Sequence, residues 1–337
     1  MNLRAFVRLF THIQLLPVLE NGEETTLVGG QAVMEGVMMR SPHSYCVAVR
    51  TANGEIVTQE SALPRLSDRY PIFKIPVIRG LGTLGHAMWL GMRALKFSAE
   101  CAIAEATGKG TETSSDSKGD GAKKELGSAA MLLQLLFSLT FMIALYKFFP
   151  LFLATQIGHH YEPLSGRFAI NMVDGSLRIL IFLGFMYLMS RLKDMHRVFE
   201  YHGAEHKVVF NFESGKPVNV KNAQSFVTWH PRCGTSFLMV VLIVSMICYA
   251  FLPIDNFWAK FAARVALLPL IVGVSYEVIR FAAKRQGGLM SILTRPGLWL
   301  QRITTQPPSD LQAEVAIHAL ERAMALEAAQ GGELVIA

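Results

Sequence analysis

Three side chains that bind metals or move protons stand together in YHGAEHK, residues 201–207: His202, Glu205 and His206. The two histidines are four residues apart. On an α-helix that spacing stacks them one turn apart on one face, where both imidazoles reach a single ion. Glu205 is turned by about 100° from His206. It suits a general base toward a water activated by the metal, or a further ligand if the chain bends. The competing reading is a pair of interfacial histidines that line up by helical geometry alone. Gly203 between them slightly weakens the helix.

A second group strengthens the metal reading. WHPRCGTSF, residues 229–237, places His230 and Cys233 three apart, with Pro231 available to turn the chain. Imidazole and thiolate are both good ligands for zinc, the metal expected here ahead of other divalent ions. His202, His206, His230 and Cys233 together describe a closed structural site. Three of them with a carboxylate nearby describe a catalytic one, and the residues alone are compatible with both. His-x-x-Glu-His is also the spacing of the inverted zinc peptidases. The chain is similar to them in a second respect, because Glu277 follows His206 by 71 positions, where those enzymes take a third ligand. Their domains are soluble α/β folds, and nothing else here looks like them. Glu277 has a bland alternative in an ion pair with Arg280, close to one turn on.

These residues must be held by the surrounding elements, and the composition says what kind. Hydrophobic residues make up 51% of the 337 and charged residues only 17%, against about 25% charged in an ordinary soluble domain. Four apolar segments account for the deficit: 129–149, 169–190, 236–252 and 262–282. Each has roughly 20 residues, enough to cross about 30 Å of hydrocarbon. Buried helices of a large soluble protein are the alternative. Arg191, Lys193, Arg197, Lys207, Lys216, Lys221 and Arg232 lie between the second and third segments, and Lys284, Arg285, Arg295 and Arg302 after the fourth. The other loops are poor in cations. The positive-inside rule then puts both termini and the loop 191–235 in the cytosol of a multi-pass protein of a bacterial cytoplasmic (inner) membrane. The expected fold is therefore an α-helical polytopic membrane protein of about four transmembrane helices with an N-terminal cytosolic α+β domain. The net charge of +6 follows the membrane boundaries, and no zinc-finger or RNP-like pattern points to nucleic acid. The lipid bilayer is the expected partner, and the residues are silent on oligomeric state.

Four regions follow. Residues 1–106 form the cytosolic domain, 107–126 a low-complexity polar linker, 127–302 the membrane domain and 303–337 a helical tail. The first 24 residues read as a surface amphipathic helix; no cleavage site marks them as a signal peptide. Residues 45–60 read as a hairpin around Asn53-Gly54, a pair that favours a tight primed turn. Residues 76–98 read as an amphipathic or membrane-dipping helix. Their Gly80, Gly82 and Gly85 spell GxGxxG without the βαβ unit that nucleotide binding needs, so close helix packing explains them better. Glu35 and Arg40 are placed to pair with each other, and Glu35 is an outside candidate for a further catalytic carboxylate. Lys147, near the end of the first span, is placed to snorkel. Asp174 and Arg178, four apart in the second, pair with each other and admit a small-transporter reading. Cys46, Cys101, Cys233 and Cys248 form no CxxC pair and no disulfide framework. The tail has a capping box at Ser309 and Gln312, suiting packing or assembly rather than chemistry.

Four motifs in order, GGQAVMEGVMMRSP, YHGAEHK, HPRCGTSF and RPGLWLQRITTQPP, resemble the YqhQ-like family of bacterial membrane proteins, described as uncharacterised and as predicted metal-dependent enzymes. The resemblance runs from about Gly29 to Pro308. It implies that the last motif belongs to the core, where Arg295, Arg302 and Thr305, with Gln301 and Thr304, are candidates for binding an anionic group such as a lipid headgroup. Juxtamembrane anchoring and helix capping are their structural alternative. The expectation is a metal-dependent hydrolase acting on a membrane-associated peptide or lipid, with Glu205 or Glu277 as base. Its rival is a non-catalytic membrane scaffold or assembly factor in which a metal staples the helix ends.

Overall fold

The computed structural model of the chain describes residues 28–63, 70–106, 128–230, 233–284 and 289–329. The first 24 residues and the linker, read from the sequence as an amphipathic helix and a polar spacer, lie outside them, as does the end of the tail. The described protein is mostly helical with one small antiparallel sheet.

That sheet is a four-stranded meander: β1 (Gly29–Val33), β2 (Gly36–Arg40), β3 (Ser44–Arg50) and β4 (Ile56–Ala62), paired in that order. Period-2 alternation sends Val37, Met39, Cys46 and Ala48 to one face and Val33, Met38, Tyr45, Val47 and Val49 to the other. Both faces are covered. The predicted hairpin is β3–β4, but its connection is longer than a two-residue turn. Arg50 pairs with Ile56, Thr51 N–H donates to the Glu55 carbonyl at 2.9 Å, and Gly54 alone in this turn takes positive φ, +86°. The tight turn is instead Met34-Glu35, between Val33 and Gly36. Glu35 sits at φ +52°, a region uncommon for residues other than glycine. Its carbonyl accepts from Arg50 N–H at 2.8 Å, and its carboxylate is held by Arg197. Glu35 therefore pairs with Arg197, not with Arg40.

Helix α1 (Ile78–Ala106) lays Leu90, Ala94 and Cys101 on the second sheet face. Two elements distant in sequence cover the first face. One is the histidine-bearing helix, which contributes Tyr201, Ala204, Val208 and Val209. The other is the C-terminal helix, which contributes Val315, Ala316, Ala319, Leu320 and Ala323. The small side chains of that last helix let it lie close on the sheet, and Glu327 accepts hydrogen bonds from Ser41 and from the backbone of His43 at 2.7 and 2.8 Å. The segment read as a tail is thus a layer of the sheet domain. Ser309 and Gln312 make the expected capping box, with Ser309 N–H donating to Gln312 Oε1 at 2.8 Å.

The apolar helices form the other half. They are α2 (Ser128–Ile143), a π-helical turn (Ala144–Phe148), α3 (Phe149–His160), α4 (Arg167–Ser190), then, after the histidine-bearing α5 (Lys193–Glu213) and short α6 (Val220–Gln224), α7 (Gly234–Ala250), α8 (Phe257–Ala266), α9 (Leu268–Lys284) and α10 (Leu289–Thr304). The C-terminal helix is α11 (Asp310–Ala329). Among the described residues, two helices are long and apolar enough to cross a membrane, Leu136–His160 and Arg167–Ser190. A third counts if α8 and α9, bent by 49° at their junction, form one span. The first long segment is shifted from the expected 129–149, so Lys147 lies mid-helix. It reaches Tyr249 OH at 3.2 Å instead of snorkelling to water. The 17-residue α7 is apolar but shorter than the other two.

Candidate metal centre

Helix α5 carries His202, Glu205 and His206 between the sheet and the apolar helices. The two rings lie 4.4 Å apart between centroids, as the one-turn spacing requires. Cys233, the N-cap of α7, completes the group. One ligand atom each from His202, His206 and Cys233 lies within 4.8 Å of the others, and His202 Nε2 is 3.2 Å from Cys233 Sγ.

What aims the rings is the backbone. His202 Nδ1 bonds the Thr304 carbonyl at 2.8 Å, and His206 Nδ1 bonds the Thr228 carbonyl. A carbonyl only accepts, so each Nδ1 carries the hydrogen and each Nε2 keeps its lone pair. This is the outer arrangement of most metal-binding histidines. Gly203 makes it possible: a Cβ there would overlap the Gln306 carbonyl oxygen, and with none the strap after α10 crosses α5 directly. Gln306 N–H then donates to the Phe199 carbonyl at 2.9 Å.

The electrostatics favour ligand forms. Burial holds His206 below the usual imidazole range, with His202 adding to the effect. Burial pushes the Cys233 thiol up, but the His206 ring and hydrogen bonds from His206 and Thr235 outweigh it and set the thiol below its ordinary value. A His206 imidazole held toward its neutral form and an acidified thiol, beside His202, are a donor set that fits zinc.

Beside them stands Glu205. Its carboxylate accepts from Gly30 N–H, and burial pushes it up to about 7 against the opposing charges of His202 and Arg40. A Cβ on Gly30 would lie 3.0 Å from Glu205 Cγ and closer still to the Met38 carbonyl, so the glycine-rich β1 is what admits this carboxylate. Arg40 at the end of β2 is held below its usual value by burial, while Tyr276 and Glu205 support its charge. The sequence reading missed Gly30 and the Thr228 and Thr304 carbonyls. Backbone groups leave no residue-type signal.

Two expected participants are not among the converging ligand atoms. His230 Nε2 lies 3.3 Å from Glu213 Oε2, and its ring packs 4.5 Å from that of Phe210. Gln301 brackets its backbone, accepting from His230 N–H at 2.7 Å and donating to its carbonyl at 2.8 Å. His230 is not among the three converging ligand residues, although its ring centroid lies 5.7 Å from that of His206. Glu277 belongs to Arg79, whose Nε donates to it at 2.7 Å, and to Val77 N–H at 3.1 Å. Val77 is at φ +70°, an outlier for a β-branched residue, and Glu277 pins it at the start of α1.

The anionic-group candidates do not converge. Thr305 is buried and its hydroxyl donates to the Gln301 carbonyl at 2.7 Å. Arg302 lies over the Trp229 ring at 4.8 Å. Arg295 is exposed. Arg295 and Arg302 are two turns apart on an outward face while Thr305 faces inward, so helical phase separates them. The motif RPGLWLQRITTQPP acts instead through Gln301 and the Thr304 carbonyl.

Fold and site together define a mostly helical protein with a small sheet and apolar helices, holding a His-His-Cys group where the two halves meet. The chain belongs to the family described as "Protein of unknown function (DUF1385)", whose pattern it matches over residues 75–326. It is similar to "Uncharacterized protein YqhQ" of Bacillus subtilis (strain 168), at 35% identity over 307 residues covering 89% of this chain and 93% of that protein. No solved structure matches it significantly.

Proposed function

We propose that the protein is a metal-dependent hydrolase of a bacterial cytoplasmic membrane, acting at the cytosolic face on a membrane-associated peptide or lipid. The observation that carries the reading is the convergence of His202, His206 and Cys233 within 4.8 Å, with both imidazoles oriented through Nδ1 and Glu205 adjacent. The membrane placement is supported by the two long apolar helices. They turn Leu136, Phe137, Phe141, Leu180, Phe185 and Leu188 outward, which water disfavours and lipid accepts. Cations between and after the apolar segments orient the histidine-bearing half toward the cytosol.

A zinc ion in this site would supply Lewis acidity and lower the pKa of a water molecule it binds. Glu205 takes and returns the proton at its carboxylate, and a carboxyl raised to about 7 suits both directions near neutral pH. Gly30 N–H orients that carboxylate. Arg40 contributes positive charge beside it.

The scaffold reading, a purely structural metal, is the second. Among the described residues three ligand residues converge while His230 is engaged by Glu213, and this supports the open, catalytic arrangement over it. The test is elemental mass spectrometry of detergent-purified protein, followed by a screen of peptide and phospholipid hydrolysis. We expect about one zinc per chain, lost in His202→Ala/His206→Ala. Glu205→Gln keeps the metal and lowers turnover by roughly 100-fold or more. No bound metal in the wild type would sink the reading. Metal loss coupled only to unfolding, with no hydrolysis in the screen, would hand the site to the scaffold reading.

A further inference from the structure

Well away from the histidine cluster, the apolar helices enclose a second group of charges. Arg178 Nη2 donates to Asp174 Oδ1 at 2.8 Å, and Arg264 Nη1 of α8 approaches Asp174 Oδ2 at 2.9 Å. Arg264 also donates to Asn171 Oδ1. Asp174, Arg178 and Arg264 are 1%, 2% and 0% exposed. Tyr249, at the end of α7, joins them. Its OH donates to the Arg264 carbonyl at 2.9 Å and accepts from Lys147 Nζ at 3.2 Å. The Tyr249 ring lies 5.1 Å from the Arg178 guanidinium, 5.0 Å from that of Arg264 and 5.2 Å from Lys147 Nζ.

Two guanidinium groups and the Lys147 amine therefore meet at one ring, with one carboxylate among them. Guanidinium groups keep their charge, and a buried charge without a partner costs several kcal/mol. Asp174 offsets only one. Among the described residues, Arg178 Nε, Arg178 Nη1 and Arg264 Nε are buried N–H groups with no hydrogen-bond acceptor. The local backbone is shaped to build this group. Lys147 is turned inward by the π-helical segment Ala144–Phe148, a device frequent at functional sites. Gly175, next to Asp174, admits the Met246 side chain where a Cβ would overlap it, so α4 and α7 touch there.

We propose that this group binds one oxyanion of the phosphate type, carried by a lipid headgroup or free in solution. It approaches from the helix ends marked by the exposed Arg167–Asp255 pair. Arg178, Arg264 and Lys147 donate to its oxygens, matching the excess of cations and the unused N–H groups. Sixteen residues of α4 separate Asp174 from Ser190, about 24 Å of helix, so the site is independent of the metal centre.

The experiment uses the full chain in nanodiscs. In discs of phosphatidylcholine alone, inorganic phosphate is titrated and binding followed calorimetrically. In discs containing phosphatidylglycerol, native mass spectrometry reads lipid retained after release. We expect one phosphate-bearing ligand per chain, bound at least tenfold more weakly by Lys147→Met and by Arg178→Gln, and equally well by His202→Ala. Lys147→Met is the deciding variant, because it leaves the Asp174–Arg178–Arg264 pairing intact. Phosphate binding in the first discs identifies a free oxyanion; retained phosphatidylglycerol that phosphate does not displace identifies a headgroup. Neither ligand bound by the wild type, or binding unchanged in Lys147→Met, overturns the proposal.

Discussion

Gly203 lies so close beneath the carbonyl of Gln306 that no side chain fits between them. This one crossing brings the Thr304 carbonyl onto His202 Nδ1 at 2.8 Å. In an isolated helix Gly203→Ala would stabilise by about 1 kcal/mol. Here it is expected to destabilise by about 1–3 kcal/mol through overpacking and to weaken metal binding. Thermal unfolding and elemental analysis of the variant check this; a variant as stable as wild type and fully metallated would show that the strap does not orient His202.

Metal retention should divide the four residues that the sequence grouped together. Cys233→Ser and His206→Ala lose the ion. His230→Gln keeps it, because His230 Nε2 is engaged by Glu213. Metal-to-protein ratios after gel filtration decide the matter, and a His230→Gln protein without metal would return that residue to the ligand set.

Glu277→Gln is expected to leave metal content and hydrolysis unchanged while lowering stability. It weakens the Arg79 pair and the hold on Val77 N–H, together worth about 1–2 kcal/mol after allowance for partial exposure. Denaturant midpoints in detergent measure this. A selective loss of hydrolysis at wild-type stability would instead make Glu277 part of the chemistry.

Burial holds the His230 imidazole down to about 4, from 6.5 in the unfolded chain. Between those values the unfolded chain takes a proton that the folded ring refuses. The stability contribution is therefore present above pH 6.5 and is lost as pH falls toward 4, by at most roughly 1.4 kcal/mol per pH unit. His230→Gln should flatten the difference between midpoints at pH 7 and pH 5; an equal slope in both proteins would place the protonation elsewhere.

Much of the site was legible because it is local. The i, i+4 pair in YHGAEHK needs only a helix to become a ring pair, and Asp174 and Arg178 pair for the same reason. The β3–β4 hairpin and the Ser309–Gln312 capping box are also short-range patterns. Other assignments failed where two local solutions compete. Glu277 had Arg280 near one turn on, yet it took Arg79, 198 residues away in sequence. Glu35 and Arg40 are near neighbours on one hairpin, yet Glu35 took Arg197.

By itself the sequence determined the β3–β4 hairpin, the two long apolar helices and the face shared by His202 and His206, since propensity, alternation and helical phase act over a few residues. Only the tertiary structure decided that Cys233 joins them and that the C-terminal helix covers the sheet. It alone decided that the Thr228 and Thr304 carbonyls set the imidazole tautomers. Those outcomes depend on which backbone segments cross, and on the small residues, Gly30 and Gly203, that let them cross. Such contacts are chosen by packing the whole chain at once, and no window along it contains both partners.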